Sequence, residues 1–443
     1  MKRSVVRYFV TYSIYVIFLM TCYSSYLINA YGYYGFKNNM NTTSLITSLL
    51  VLFATFVVIY KQKTDTYSKF IVYILLLINF VPSVVTFCYM PFSYKYLFLL
   101  IIYWIMMIAF VNLFNKLKFK NDNKAVKSNL LNVYIVLFIE LIVIMLVVRY
   151  TGINLDFSTV YDLRDNYFQT RIPTVISYLY AAFKVVNPLL FVYLYNRKKK
   201  MGYLLAVIIQ ILAFLADGSK STLFSIVIAY FIIKYVQKRK IKDFLKSDKT
   251  KYYILLGLAS VNVLGFLEFK IIETSLLYNY FIRRTFFLPS LLNHYYYSFF
   301  SVNNLDYFRQ SFLGKFGFQS IYSMKIQNII GKVYFNAPTM LANNGLFSDA
   351  YMNLGTLGMF VMPFLICSAL RFLDYCARNI NSYYLIMVLI SVSYIFISSS
   401  FFTVLLTHGF LLLCLIILLI IPKDGSMGEK KWITYCKKWK HIK

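Results

Sequence analysis

Long apolar runs alternate with short, basic polar segments along the whole chain. A helix needs about 20 predominantly apolar residues to cross a bilayer, and runs of this kind recur from residue 8 to residue 421. The pattern predicts an all-α polytopic membrane protein with about twelve transmembrane helices. The predicted spans are 8–30, 43–60, 70–90, 95–115, 129–149, 173–195, 202–217, 221–237, 252–272, 348–370, 382–398 and 402–421.

Composition agrees with this pattern, since 60% of the 443 residues are hydrophobic and the mean hydropathy is +0.64. Soluble globular domains are less apolar. The linkers between the runs are short, so we expect residues 1–443 to form a single integral membrane domain. The first run ends without a small-x-small cleavage pattern, which argues against a cleaved signal peptide.

Lysine and arginine concentrate on one side of the predicted spans. With the N-terminus in the cytoplasm, the inner segments and the C-terminal tail carry 31 of the 46 Lys and Arg residues, in line with the positive-inside rule. We therefore expect both termini in the cytoplasm. Attraction to anionic inner-leaflet lipid explains the net charge of +30. Because this charge is scattered over short loops, we expect no nucleic-acid partner.

Motifs for several common chemistries are missing from the sequence. It contains no P-loop or dinucleotide fingerprint, and no His/Cys cluster has metal-ligand spacing. None of the six cysteines falls in a predicted outer loop, so we expect no disulfide framework. We expect neither a metal nor another cofactor, and the cytoplasmic loops are too short to fold a separate catalytic domain.

Two predicted outer segments, 150–172 and 273–347, are longer than a turn requires. Loops as long as the second are usually functional, and its wealth of Tyr, Phe, Leu and Ile argues against disorder. Its stretches "SLLYNYFIRRTFF" and "PSLLNHYYYSFF" predict short amphipathic helices. Such helices either lie at the membrane surface or cover a cavity.

Cations occupy outer segments at four positions where the positive-inside bias disfavours them. They are Arg164, Lys220, Arg283 and Arg284. A shared anionic ligand would account for all four, because a guanidinium group donates two parallel hydrogen bonds to phosphate. The alternatives are an ion pair of Arg164 with its flanking aspartates, snorkelling of Lys220 and a lipid-headgroup contact of the adjacent arginines.

Other titratable side chains leave alternatives open. His294, among tyrosines, is either a catalytic base or a hydrogen-bonded residue of an aromatic layer. Glu140 and Lys184 lie inside predicted spans, where they either pair with each other or line a pathway. Asp349 lies near the outer end of a predicted span, where it either caps the helix or faces a cavity.

Three short motifs stand in a fixed order in this layout: "YDLRDNY", "DGSKST" and "NNGLFSDAYMNLGTLG". A long outer loop with arginines near its start separates the second from the third. Over most of its length the chain thereby resembles the oligosaccharide repeat-unit polymerase (Wzy, O-antigen polymerase-like) family of bacterial surface-polysaccharide pathways. The family often has arginine in the short turn where this chain has Lys220, and a lysine lacks the bidentate fork.

The resemblance implies a metal- and nucleotide-independent glycosyltransferase of the bacterial cytoplasmic membrane. It would polymerise undecaprenyl-pyrophosphate-linked oligosaccharide repeat units into capsular polysaccharide or exopolysaccharide at the outer face. A chain-length regulator and a flippase of the same pathway would be partners. An O-antigen-ligase-like transferase and a lipid-linked oligosaccharide flippase are the alternatives.

The resemblance also suggests roles for individual residues. The pyrophosphate would contact Arg164, Lys220, Arg283 and Arg284. The catalytic residues would be His294, Arg284 and Asp349. His294 would be the base for the acceptor hydroxyl, since an unperturbed imidazole has a pKa close to neutral pH, and Asp349 would be the alternative base.

Overall fold

The described part of the chain is helical. The computed structural model describes residues 2–117, 119, 130–152, 170–239, 245, 248–378, 380 and 382–420, and no strand occurs among them. Nine helices in these ranges are long and apolar enough to cross a membrane, which makes the chain a multi-pass membrane protein. They are Ser4–Tyr34, Thr42–Lys61, Tyr67–Tyr89, Tyr94–Lys116, Leu130–Thr151, Thr174–Asn196, Lys200–Asp217, Lys249–Ile272 and Phe347–Ala377.

Nine of the twelve predicted spans are confirmed as helices long and apolar enough to cross a membrane, and the other three stay predictions. Within the described residues, the predicted span 382–398 contains the apolar helix Ile386–Ser398, and 402–421 contains Phe410–Leu419. At a rise of 1.5 Å per residue, these helices are about 20 and 15 Å long, whereas the bilayer core is about 30 Å thick. The predicted span 221–237 coincides with the helix Lys220–Arg239, and whether this helix crosses the membrane stays a prediction.

The remaining helical segments interrupt or connect the long helices. The π-helical segments are Tyr23–Leu27, Leu76–Phe80, Glu268–Ile272, Tyr278–Phe287 and Thr403–Thr407. The α-helices outside the nine spans and the three helices above are Leu288–Phe300 and Ile326–Phe335. Polar residues fix several starts: Asn41 Oδ1 accepts from Ser44 N at 2.7 Å while Asn41 N donates to Ser44 Oγ at 3.1 Å, a capping box that begins the Thr42–Lys61 helix.

The chain divides into two compact units. The first comprises residues 1–117, 245–371 and 393–403, and the second comprises 118–244, 372–392 and 404–443. In the first unit, the Lys2–Cys22 helix packs along the Asp248–Leu267 helix. In the second unit, the Thr174–Asn196 helix packs against three others, which are Leu130–Thr151, Lys200–Asp217 and Lys220–Arg239. The single membrane domain inferred from the short linkers stays a prediction.

The long segment 273–347 contributes to the interior of the first unit. As predicted, it forms short helices, but the Leu288–Phe300 helix has buried side chains around its circumference, among them Leu291, Asn293 and Tyr296. This helix packs against Phe347–Leu354. Of the two predicted locations for the amphipathic helices, the membrane surface therefore does not fit Leu288–Phe300.

Contacts between helix ends in the first unit join segments that the predicted topology puts on the same side. On the predicted outer side, Asn39 N donates to Tyr89 O at 2.8 Å. On the predicted inner side, Lys251 Nζ donates to Gln62 O at 2.8 Å. These contacts support the predicted order of crossings, and which side faces the cytoplasm stays a prediction.

In the second unit Lys184 pairs with Asp217. Lys184 Nζ lies 2.5 Å from Asp217 Oδ2, and Asp217 Oδ1 accepts from Ser219 N at 2.9 Å. Gly218 ends the preceding helix with a φ of +64°, a left-handed conformation that glycine adopts freely. Glu140 is fully buried, and neither carboxylate oxygen has a hydrogen-bond partner among the described residues. A Glu140–Lys184 pair, one of the two predicted roles, is therefore wrong.

Candidate anion-binding site

Arg283 is a buried cation on the π-helical segment Tyr278–Phe287. Only 9% of the residue is exposed. Its guanidinium carbon lies 4.2 Å from the centre of the Tyr31 ring and 5.7 Å from the centre of the Tyr34 ring. Aromatic faces attract a guanidinium group, and π-helical turns are frequent at functional sites. The first unit thus holds one of the predicted ligand-binding arginines against an aromatic wall.

Asn279 fixes this wall from the same π-helical segment. The hydroxyls of Tyr26 and Tyr31 both donate to Asn279 Oδ1 at 2.5 Å, and Asn279 Nδ2 donates to Ser275 Oγ at 3.0 Å. Arg283 follows Asn279 by four residues, about one helical turn. One segment therefore positions both the cation and the ring that covers it.

No carboxylate neutralises Arg283 within the described residues, and its Nε is buried without a hydrogen-bond partner. The acidic residues nearest to Arg283 in the sequence are hydrogen-bonded elsewhere or exposed. Glu268 accepts two backbone amides at 2.8 Å, and Asp306 accepts a backbone amide at 2.7 Å and a serine hydroxyl at 2.6 Å. Glu273 is exposed. Because a buried, uncompensated charge is costly, this arrangement is suited to accept an anion.

The other predicted cations are divided among different parts of the chain. Arg284 is exposed, and its guanidinium carbon lies 5.9 Å from the centre of the Tyr280 ring on the same segment. Lys220 is exposed at the start of a helix in the second unit. Arg164 lies outside the described residues. Arg283 and Arg284 are neighbours on one segment, but Arg283 is buried and Arg284 is exposed, so a site shared by the four cations stays a prediction.

His294 belongs to an aromatic layer on the Leu288–Phe300 helix. Its ring stacks on Phe92, and its Nε2 lies 3.2 Å from Ser298 Oγ. Burial lowers the pKa of His294 to about 3, so the imidazole is neutral at neutral pH and is a weaker base than a free imidazole. His294 follows Arg283 by eleven positions, which at an α-helical rise is roughly 16 Å.

The low pKa of His294 predicts that its imidazole stays unprotonated down to about pH 4. In the unfolded chain the same group takes up a proton near pH 6.5. Stability contributed by the neutral imidazole is therefore present above pH 6.5 and falls as the pH is lowered from 6.5 towards 3. Histidine-selective 15N NMR across this range measures the pKa directly.

The chain has three histidines, so a His294→Gln variant assigns the signal in that titration. The variant is expected to lose less stability than the wild type between pH 6.5 and 4, because it has no proton to bind in the unfolded state. A titration of the His294 signal with a midpoint near 6.5 would contradict the prediction and restore an ordinary base at this position.

Both carboxylate oxygens of Asp349 accept hydrogen bonds from other groups of the protein. Oδ2 accepts from Phe401 N at 2.8 Å, and Oδ1 accepts from Asn353 Nδ2 at 3.0 Å. Asn353 Oδ1 in turn accepts from Phe308 N at 2.7 Å. Asp349 is 2% exposed. These contacts join three segments of the first unit, so the side chain has a structural role whether or not it also acts as a base.

The glycines of "NNGLFSDAYMNLGTLG" are required by close packing. A Cβ atom at Gly345 would clash with the carbonyl oxygens of Phe396 and Ser399, and one at Gly358 would clash with Ala350 O. Gly355 has a φ of +56°, which disfavours other residues. Together with Asp349, these glycines explain the spacing of the motif as a packing arrangement around the start of the Phe347–Ala377 helix.

Sequence reasoning missed Tyr31, Tyr34 and Asn279 as parts of the arginine site. The stretch "YGYYGF", residues 31–36, follows the first predicted span on the predicted outer side. Its position on the same side as Arg283 was a signal that its tyrosines could belong to the site. Tyrosine is common at membrane interfaces, and with 42 tyrosines in the chain this signal could not be separated from the rest.

Comparison of the chain with protein-family models, with curated proteins and with solved structures found no match.

Proposed function

We propose that the chain polymerises lipid-linked oligosaccharide repeat units at the outer face of a bacterial cytoplasmic membrane. The observation that carries this proposal is Arg283, a buried guanidinium group without a carboxylate partner among the described residues, in a predicted outer segment. A guanidinium fork matches the geometry of phosphate oxygens. Undecaprenyl pyrophosphate on the glycan donor would supply the anion.

In the proposed reaction, a sugar hydroxyl of one lipid-linked unit attacks the anomeric carbon of the growing chain. A carbon–oxygen bond to the acceptor forms, the bond to the lipid pyrophosphate breaks, and the hydroxyl proton passes to a base. Negative charge grows on the leaving pyrophosphate, where Arg283 and the exposed Arg284 stabilise it. His294 and Asp349 remain the proposed bases, with the low pKa of His294 counting against it.

Exposed tyrosines next to the arginines suit the glycan part of this substrate. Tyr33 is 72% exposed and Tyr280 is 60% exposed, and the Tyr33 ring centre lies 4.4 Å from that of Tyr34. Aromatic rings present flat apolar faces on which the C–H faces of sugars pack. The proposal therefore places pyrophosphate at Arg283 and the first sugars over Tyr33 and Tyr280.

The motifs that resemble the polymerase family support the same proposal, and the two alternatives differ from it in what happens to the substrate. An O-antigen-ligase-like enzyme would transfer the glycan to a different acceptor. A flippase would move the intact lipid-linked unit across the membrane. A chain-length regulator and a flippase of the same pathway are the proposed partners of a polymerase.

Purified full-length protein in liposomes tests the proposal. Lipid-linked repeat units labelled in the sugar are added, and the products are separated as a glycan size ladder while released undecaprenyl pyrophosphate is quantified. A polymerase gives a ladder with one pyrophosphate released per added unit. Movement of units across the bilayer without a ladder would assign a flippase, and transfer only after addition of a different acceptor would assign a ligase.

A further inference from the structure

An open apolar groove runs over three helices of the second unit. The helices are Thr174–Asn196, Lys200–Asp217 and Lys220–Arg239, and the groove has a volume of about 510 Å³. Its lining includes Phe191, Tyr195, Tyr203, Val207, Ile226 and Tyr230. Aromatic and aliphatic side chains alone line it, so an occupant must present an apolar surface to the groove.

Tyrosines gather at one end of the groove. The ring centre of Tyr195 lies 5.4 Å from that of Tyr203 and 5.6 Å from that of Tyr230. Lys234 Nζ lies 5.9 Å from the Tyr195 ring centre and 5.6 Å from the Tyr230 ring centre. Most of the groove is therefore apolar, and one end of it is cationic.

The cationic end coincides with the turn between two of the three helices. Tyr195 is the penultimate residue of the Thr174–Asn196 helix, and Tyr203 lies in the first turn of the next helix. The residues between these helices belong to the basic run "RKKK", 197–200. The guanidinium carbon of Arg197 lies 4.9 Å from the Tyr193 ring centre. Lys234 thus lies near the tyrosines at this end of the groove, and the basic run 197–200 joins the two helices that carry Tyr195 and Tyr203.

We propose that this groove binds an anionic phospholipid of the bilayer. One acyl chain lies along the apolar lining, and the headgroup phosphate lies between Lys234 and the 197–200 turn. A phospholipid combines an apolar chain with an anionic end in the order that the groove requires, and basic pockets between transmembrane helices bind anionic headgroups in this way. Tyrosines at the headgroup level are typical of the membrane interface.

Charge and position distinguish this occupant from the polyprenyl substrate of the proposed function. The groove lies in the second unit, whereas the arginine site lies in the first. The 197–200 turn falls on the predicted inner side, where anionic lipid attracts basic segments, whereas the proposed reaction uses outer segments. The inference does not depend on the proposed function.

Native mass spectrometry of the full-length protein tests the inference. Protein reconstituted in an equimolar mixture of dioleoylphosphatidylglycerol and dioleoylphosphatidylcholine is transferred to detergent, and the retained lipid is identified. Wild-type protein is expected to retain phosphatidylglycerol over phosphatidylcholine. Lys234→Gln is expected to reduce this preference about fivefold, the effect of about 1 kcal/mol per basic side chain near an anionic surface.

Two further variants complete the test. Val207→Trp fills the groove without changing its charge and is expected to reduce retention of both lipids. Lys95→Gln removes an exposed lysine from the first unit and is expected to leave the preference unchanged. Equal retention of both lipids by the wild type would overturn the inference. So would displacement of phosphatidylglycerol by equimolar undecaprenyl phosphate, which would assign the groove to the polyprenyl carrier.

Discussion

Arg283→Gln is expected to abolish long glycan chains in the liposome assay while the protein still folds. Glutamine keeps the apolar stem and a hydrogen-bond donor but removes the charge that faces the developing pyrophosphate. Losing one such transition-state contact typically costs about 10²–10³ in rate. Initial rates of undecaprenyl pyrophosphate release, divided by the amount of folded protein, measure the effect.

The same substitution is expected to leave the melting temperature unchanged or to raise it. Arg283 is buried without an ion-pair partner among the described residues, so glutamine removes an uncompensated charge. The lost contact with the Tyr31 ring, worth about 0.5–2 kcal/mol, offsets part of that gain. A large fall in melting temperature would show that Arg283 serves the fold, and the assignment of a ligand site would then be wrong.

Arg309→Gln is the matched control for this prediction. Arg309 lies in the same long segment, and its guanidinium carbon lies 5.7 Å from a tyrosine ring centre, that of Tyr307. If the total positive charge of the segment mattered, both variants would lose activity equally. We expect Arg309→Gln to keep most of it. Arg283→Lys is expected to recover only part of the rate, because an ammonium group lacks the bidentate fork.

Hydropathy predicts the bounds of the long helices closely, because few backbone structures can place a long apolar run inside a bilayer. The predicted span 95–115 is the helix Tyr94–Lys116, and the predicted span 173–195 is Thr174–Asn196. In each case an apolar run of about 20 residues ends at polar residues, and a backbone inside a bilayer must satisfy its own hydrogen bonds. Length and composition therefore leave little freedom.

The helix ends in the last part of the chain are harder to predict from hydropathy. The run 382–421 is interrupted only by short polar stretches, "SSS" at 398–400 and "THG" at 407–409, and composition predicts one boundary, between 398 and 402. In the structure the helix Ile386–Ser398 is followed by the π-helical segment Thr403–Thr407 and, after Gly409 with a φ of +70°, by Phe410–Leu419. Local backbone geometry shortens these helices, and hydropathy does not report it.

Side-chain partners could not be predicted, because hydropathy gives the depth of a residue and not the direction in which its helix faces. Lys184 pairs with Asp217, which lies at a helix end 33 residues later. Glu140 also lies near the middle of a predicted span, but it has no hydrogen-bond partner among the described residues. Arg283 contacts the ring of Tyr31, which lies about 250 residues earlier in the sequence. A single sequence carries no signal for such contacts.

Asp349→Asn is expected to lower the melting temperature by roughly 3–6 °C, from a loss of about 3 kcal/mol in the free energy of unfolding. One carboxylate oxygen becomes an amide NH₂, which faces either Phe401 N or Asn353 Nδ2, both of which donate to Asp349 in the wild type. A buried donor then loses its acceptor.

Differential scanning fluorimetry in detergent measures that shift, and the liposome assay measures activity per folded molecule. Asp65→Asn is the control: this exposed aspartate forms a 2.8 Å pair with Lys69, and surface pairs contribute little, so the melting temperature of this variant should hardly change.

If Asp349 only supports the fold, the Asp349→Asn protein that remains folded keeps most of its activity. A variant with an unchanged melting temperature and no activity would identify Asp349 as the base. In that case the hydrogen bonds to Phe401 and Asn353 would serve to orient the carboxylate for proton transfer, and the base predicted as the alternative to His294 would be the correct one.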